Sequence, residues 1–221
     1  MAFSAKVAVS IVKETPHMKL IGSLTSPFVR KIRIMLAEKA LPYEFVTEDV
    51  WSAASDIQSL NPLGKVPSLV LDDGRAVFDS SVIVEVLESL QPAPPLLPTD
   101  WSARCDARVL EAIGDGIADA AVAMLLEARF HPADHKSQAW IDRQIGKLMV
   151  SCAYLDRLLL KSASGYLGAR LAIGDIAVVS GLAYTAFRFP SVPWRAEFAA
   201  LAAYVDRLEQ RASFLATKLP G

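Results

Sequence analysis

Asn61-Pro62-Leu63-Gly64-Lys65-Val66-Pro67 reads as a turn-rich approach to a strand whose second residue is proline. Pro67 has no N–H to give to a sheet ladder, so it belongs at the start or the edge of that strand. A cis bond at this position would leave the Val66 backbone free to pair with a peptide-like ligand. The plainer reading is a turn followed by an edge-strand proline, and on these residues alone both stay open.

Downstream, Val66 to Leu71 and Arg75 to Phe78 flank Asp72-Asp73-Gly74, which predicts a hairpin. Asp79-Ser80-Ser81 then offers N-cap chemistry before Val82, Ile83, Val86, Leu87 and Leu90, which recur at helical spacing. Upstream, Met18-Lys19-Leu20-Ile21 is a short apolar strand, and residues 22–27 supply turn chemistry. Phe28, Val29, Ile32, Met35 and Leu36 follow at helical spacing. Pro42 ends that helix, and Tyr43, Phe45 and Thr47 alternate as a second strand does. Residues 48–60 predict a loop with at most a helical turn. The order β-α-β, hairpin, helix describes a mixed sheet packed with helices.

Gln91-Pro92-Ala93-Pro94-Pro95-Leu96-Leu97-Pro98 cannot continue a helix and reads as a stiff linker. Beyond it the pattern is helical: residues 103–129, then a stripe of Ile141, Ile145, Leu148, Met149, Cys152, Leu155 and Leu159, then about 174–187 and 198–210. The fold class is therefore an α/β N-terminal domain over residues 18–95 and an all-α C-terminal bundle over residues 101–221. Residues 1–17 form an N-terminal extension, read as flexible and outside the fold.

The chain has 221 residues, 52% hydrophobic and 21% charged, a globular composition. Lys+Arg 23 against Asp+Glu 24 leaves a net charge of −1 and no basic excess for nucleic acid or an anionic membrane surface. Ile176 to Phe187, the longest clearly apolar run, falls short of the ~20 residues a membrane span needs. The two cysteines, Cys105 and Cys152, and the three histidines lack metal-ligand spacing, so no metal is expected. The cysteines read as buried structural thiols in a reducing cytoplasm.

Chemistry is predicted at three loops. Thr25-Ser26-Pro27 opens a helix, where backbone N–H groups and the helix dipole favour an anion, although Ser26 can be a simple cap. A cis bond before Pro67 would free the Val66 backbone for a peptide-like ligand, where a plain turn would not. Asp79-Ser80-Ser81 can hold a ligand carboxylate on N–H and hydroxyl groups while Asp79 faces an ammonium, or can merely cap its helix.

Taken in order, the strand, the Ser26-Pro27-Phe28 helix start, Asn61 to Pro67 and Asp79-Ser80 resemble the thioredoxin-like N-terminal domain of the cytosolic glutathione transferases. The helical half resembles their C-terminal domain, and the likeness spans residues 18 to about 215. Met18 to Lys31 with Asp79-Ser80 is most similar to a bacterial group of uncharacterised transferase-like proteins. The resemblance implies glutathione as co-substrate, a small electrophile as acceptor, detoxification as the setting and a homodimer. By position, Ser26 matches the serine of zeta-like members, stands where omega-like members carry cysteine, and would be catalytic, hydrogen-bonding the thiol sulfur. Val66 and Pro67 would hold the cysteinyl unit, Asp79 and Ser80 the γ-glutamyl end, Lys65 the glycyl carboxylate, with Phe28 beside them. Two departures stand out: Asp79 replaces the more usual Glu, and Ala172 replaces the Ser or Thr that normally forms a reciprocal helix cap with the acid at Asp175.

The implied chemistry follows from the thiol, whose reference pKa of ~8.5 leaves it mostly protonated at neutral pH while only the thiolate attacks well. The electrophile would lie beside Phe28 and the residues near Met124 and Arg129, for which core packing is the competing role. Two other functions compete. One is a glutathione-dependent oxidoreductase or peroxidase, of which the dithiol chemistry is disfavoured by Ser26 in place of Cys and by the lack of Cys-x-x-Cys. A non-catalytic binding or regulatory module would keep the fold without the chemistry.

Overall fold

A computed structural model describes residues 18–220; the expected extension at residues 1–17 lies outside the described residues. Strand β1 (Lys19–Gly22) feeds helix α1 (Pro27–Glu38), and β2 (Glu44–Thr47) returns parallel to β1 with Leu20 opposite Phe45. β3 (Ser68–Val70) and β4 (Ala76–Val77) make the expected hairpin, and β3 lies antiparallel to β1. The sheet order is β2-β1-β3-β4, and α2 (Ser80–Leu90) completes this half. Both hairpin strands are shorter than their apolar runs. The imide of Pro67 cannot join a ladder, so β3 begins one residue later. Between β2 and β3 the chain makes only a 3-10 turn, Ile57–Ser59.

Val29, Ile32 and Leu36 recur at helical spacing on α1 and are fully buried with Leu20, Leu69, Ile83, Val84 and Leu87, so one apolar face of each helix seals the sheet. A Cβ at Gly22 would come within 2.6 Å of Val29 Cγ2, so the end of β1 fits under α1 only without a side chain.

The second half is helical: α3 (Trp101–Phe130), α4 (Gln138–Lys161), α5 (Ile173–Arg188), α6 (Trp194–Glu197), α7 (Ala199–Glu209) and α8 (Ala212–Leu215). α6 and α8 are single turns, too short to show a period in sequence. α5 is buried from Ile173 to Leu182, and it crosses α3 so closely that a Cβ at Gly114 would sit 2.4 Å from the backbone of Ala177 and Val178. Among the described residues, no helix is long and apolar enough to cross a membrane.

Several features join the halves. The Pro-rich segment is anchored rather than free: Lys39 Nζ donates to Gln91 O (2.6 Å) and Pro94 O (3.0 Å), Ile173 N donates to Leu96 O (2.9 Å), and Leu96 and Leu97 are buried. Buried Arg30 forks onto Glu209, both contacts at 2.8 Å, and donates to Thr217 O (3.1 Å). One apolar cluster then runs from the sheet through Met35 to Val179 and Phe214.

At the start of α5, Asp175 accepts from Ala172 N (2.8 Å), Leu167 N (3.0 Å) and the Tyr204 hydroxyl. The methyl of Ala172 can accept nothing, so only the aspartate half of the reciprocal cap exists. Burial raises the Asp175 carboxyl above its usual range against the pull of these donors. The cysteine expectation is corrected in part: Cys152 is buried, its thiol pushed up to about 12 by burial and by Asp156, but Cys105 is exposed on α3.

Candidate active site

Strand direction gathers the three loops. β1, β2 and β4 point one way and β3 the other, so the loop after β1, the loop after β2, the approach to β3 and the turn after β4 all lie at one end of the sheet. That end opens on a cleft of about 730 Å³, walled on its far side by α3. Phe28, Lys65, Val66, Pro67, Asp79 and Ser80 line it. Ser26 is not on its wall; it stands two residues before Phe28, at the N-cap of α1.

The Ser26 hydroxyl oxygen accepts from Val29 N (3.3 Å), so the residue is a helix cap. Capping uses an oxygen lone pair and leaves the O–H proton without an acceptor among the described residues, so cap and hydrogen-bond donor are compatible roles. The neighbouring Thr25 hydroxyl is engaged with Ser23 Oγ (3.1 Å).

The Val66–Pro67 peptide is cis. Asn61 Nδ2 ties the approach down through Lys65 O (2.8 Å) and its Oδ1 accepts from Leu63 N (3.0 Å), which fixes the turn. Among the described residues, Val66 makes no hydrogen bond through its N–H or its carbonyl, although both backbone groups are normally satisfied.

Asp79 caps α2: its Oδ1 accepts from Ser81 N and Ser81 Oγ, both at 2.8 Å. Burial alone would raise this carboxyl, but the Ser81 donors, with Lys31 and Lys65 nearby, outweigh it and hold the group below its usual range. Its Oδ2 has no partner among the described residues. Ser80 is only 3% exposed, and its hydroxyl is likewise without a partner there.

The α3 wall is set by tertiary packing. Lys31 of α1 is buried and donates to Glu111 Oε1 (3.0 Å) and to both carboxylate oxygens of Asp115 (2.9 and 2.7 Å). Arg108 bridges Glu111 and Glu85, and Arg104 also pairs with Glu85. Burial pushes the Asp115 carboxyl up to about 6 against the attraction of Lys31, and burial raises Asp119 as well. Five carboxylates, Asp79, Glu85, Glu111, Asp115 and Asp119, thus face a cleft whose lining cations are Lys65 and Arg108. Such a cleft can take a small zwitterion, with an ammonium among the acids and an anion on the free N–H and hydroxyl groups. The spacing of these charges on α3 is visible in the sequence, but nothing in it says that they meet Lys31. Met124 is buried, while Arg129 is exposed and so is not a core residue. Among the described residues, no group of His, Cys, Asp or Glu is arranged to hold a metal ion.

Comparison with known proteins agrees with this architecture. The family model for the glutathione S-transferase N-terminal domain matches residues 25–90, and that for the C-terminal domain matches residues 138–207. The uncharacterized GST-like protein YibF of Escherichia coli (strain K12) is 37% identical over 203 residues, covering 92% of this chain and 99% of its own length. A glutathione S-transferase from Methylobacterium radiotolerans, solved in complex with glutathione sulfonate, superposes with a TM-score of 0.85 at 41% identity, covering 92% of this chain and 94% of that one. Another from Methylobacillus flagellatus, solved with glutathione bound, gives 0.87 at 35% identity, over 92% and 100%. The chain belongs to the glutathione S-transferase family.

Proposed function

We propose that the protein is a glutathione transferase that adds the glutathione thiolate to a small electrophile. The observation that carries this reading is the Val66 backbone: an N–H and a carbonyl, both unpaired among the described residues, on the cleft wall beside Pro67. A peptide backbone laid alongside would complete both hydrogen bonds, as an added strand does at a sheet edge. On this reading the cysteinyl unit of glutathione pairs with Val66. Its γ-glutamyl carboxylate takes the N-terminus of α2 and the Ser80 hydroxyl, its ammonium takes Asp79 Oδ2, and Lys65 approaches the glycyl carboxylate. Related proteins solved with glutathione or glutathione sulfonate bound support the choice of ligand.

The catalytic step is loss of the thiol proton to water and attack by sulfur on the acceptor. The S–C bond forms as halide leaves an aromatic ring, as an epoxide C–O bond opens, or as the C=N π bond of an isothiocyanate takes up a proton from water. Ser26 donates its free O–H to the sulfur, and the N-terminal dipole of α1 adds positive potential; both favour the thiolate over the thiol. Phe28 packs beside the reacting end.

The same proposal makes the protein a cytoplasmic homodimer, which its unpaired cysteines fit. Trp101, Cys105 and Val109, four residues apart at the start of α3, form an exposed stripe in which Trp101 is 79% exposed, a face suited to a second copy.

The test is isothermal titration with glutathione, followed by conjugation assays over halogenated aromatics, epoxides and isothiocyanates. Glutathione binding with conjugation of at least one class is expected. No glutathione binding would overturn the proposal.

A further inference from the structure

Past the cleft, α3 runs on for three more turns. By the 3.6-residue repeat Phe130 returns to the face that carries Asp119, about 16 Å further along. Between them Val122, Ala123 and Leu126 are half-buried. There Trp51, from the loop after β2, meets Phe130 with ring centroids 5.2 Å apart and planes tilted by 48°. The Arg129 guanidinium lies 5.4 Å from the Trp51 ring centroid and 5.5 Å from that of Phe130. All three side chains are exposed.

The topology brings the loop that carries Trp51 to the same end of the sheet as the loop that carries Ser26. β2 and the β3–β4 hairpin lie on opposite sides of β1. Gly22 stands opposite Thr47, and Glu48 N donates to Gly22 O (2.9 Å), so the loop after β2 leaves the sheet beside the loop that carries Ser26. Asp79 and Ser80 thus flank Ser26 on one side, and Trp51 with its α3 partners flanks it on the other.

Acids close in sequence to Trp51 and Arg129 have partners of their own. Asp49 Oδ1 accepts from Trp51 N (3.1 Å), and Glu48 Oε1 from Ser55 Oγ (2.7 Å). Glu127 accepts from Ser137 N (2.8 Å) and meets His131 Nδ1 at 3.0 Å. Among the described residues, Arg129 has no carboxylate partner and no hydrogen-bond acceptor. A guanidinium resting on aromatic rings keeps its in-plane N–H groups free, and their fork matches a carboxylate.

We propose that Trp51, Arg129 and Phe130 form the acceptor subsite and that the acceptor is a flat, conjugated or aromatic acid whose carboxylate Arg129 holds. This rests on the transferase reading and adds the class of electrophile. The two rings offer an apolar surface to such a molecule. A glycyl carboxylate brings no apolar body, and Lys65 already lines the cleft next to Val66.

The test measures, by titration calorimetry, the affinity of wild type, Arg129→Leu and Arg129→Lys for S-benzylglutathione and S-(4-carboxybenzyl)glutathione, and for glutathione and its glycine amide. Arg129→Leu is expected to weaken the carboxybenzyl conjugate by about tenfold or more, with Arg129→Lys intermediate, while the benzyl conjugate changes less than about twofold. Equal changes for both conjugates, or none, overturn the subsite. A loss seen with glutathione and absent with its glycine amide assigns Arg129 to the glycyl carboxylate and overturns the acceptor role. Wild type that binds no glutathione overturns the transferase reading itself, and this inference with it.

Discussion

The ammonium of Lys31 on α1 lies 2.7 Å from Oδ2 of Asp115 on α3, an ion pair that joins the sheet half to the helical half beneath the cleft. Glu111 shares the same ammonium at 3.0 Å. With Lys31 only 1% exposed and Glu111 3%, the pair is maintained by mutual need rather than by net attraction, because each charge left alone there is costly.

Replacing Lys31 by Met strands two carboxylates on one wall. The expected loss is about 3 to 5 kcal/mol, read from urea unfolding at pH 7. A loss below about 1 kcal/mol would show that water reaches Glu111 and Asp115 freely.

Asp115 carries a pH signature. Its carboxyl keeps its proton up to about 6 in the folded chain, whereas an unfolded aspartate loses it near ~4. Between those values the folded state binds more protons, so this residue makes stability fall as pH rises from ~4 towards 6 and adds no further slope above. Asp115→Asn should remove that slope, and the difference between wild-type and variant unfolding free energies across this window measures it. A pH-independent difference contradicts the assignment.

Ser26 combines two roles that substitution separates. Ser26→Ala removes the cap to Val29 and should cost about 1 kcal/mol of stability. If the free O–H serves the sulfur, conjugation falls by roughly 10²-fold while glutathione affinity changes much less. Ser26→Cys should form a mixed disulfide with oxidised glutathione, seen as an adduct by mass spectrometry. Full conjugation by the Ala variant together with no adduct on the Cys variant would leave Ser26 a cap alone.

Asp79→Ala and Ser80→Ala should each weaken glutathione by about 1 to 3 kcal/mol in titration calorimetry. Their effects on stability should differ. The Ser80 hydroxyl has no partner among the described residues, so its removal should leave the melting temperature unchanged. Asp79 caps α2, so its removal should lower it. Unchanged affinity in both variants sinks the γ-glutamyl assignment.

A second copy on the exposed start of α3 should be sensitive to charge. Wild type should scatter light as a dimer at micromolar concentration, and Val109→Glu, at a site 48% exposed, should shift it to monomer without loss of helicity. A wild-type monomer contradicts the dimer.

Much of this molecule follows from short-range rules acting on neighbouring residues. Asp72-Asp73-Gly74 turns a hairpin because Gly74 takes a positive φ, Pro67 keeps Ser68 first in β3, and Ser26 and Asp79 cap the helices they precede. The cap positions of Ser26 and Asp79 and the place of Pro67 just before β3 are legible for the same reason, since local chemistry defines them. Which side chains meet across the fold is not local. Lys31 looks like any helix lysine until α1 packs under α3, and the acids of α3 look like a solvated face until burial lifts Asp115 and Asp119. Trp51 and Arg129 meet only because parallel β1 and β2 deliver two loops to one sheet end while α3 is long enough to reach it. Cys105 and Arg129 are exposed, against expectation, for a related reason: helical periodicity predicts that a helix has an inner face, but only packing against a particular neighbour decides which residues it contains.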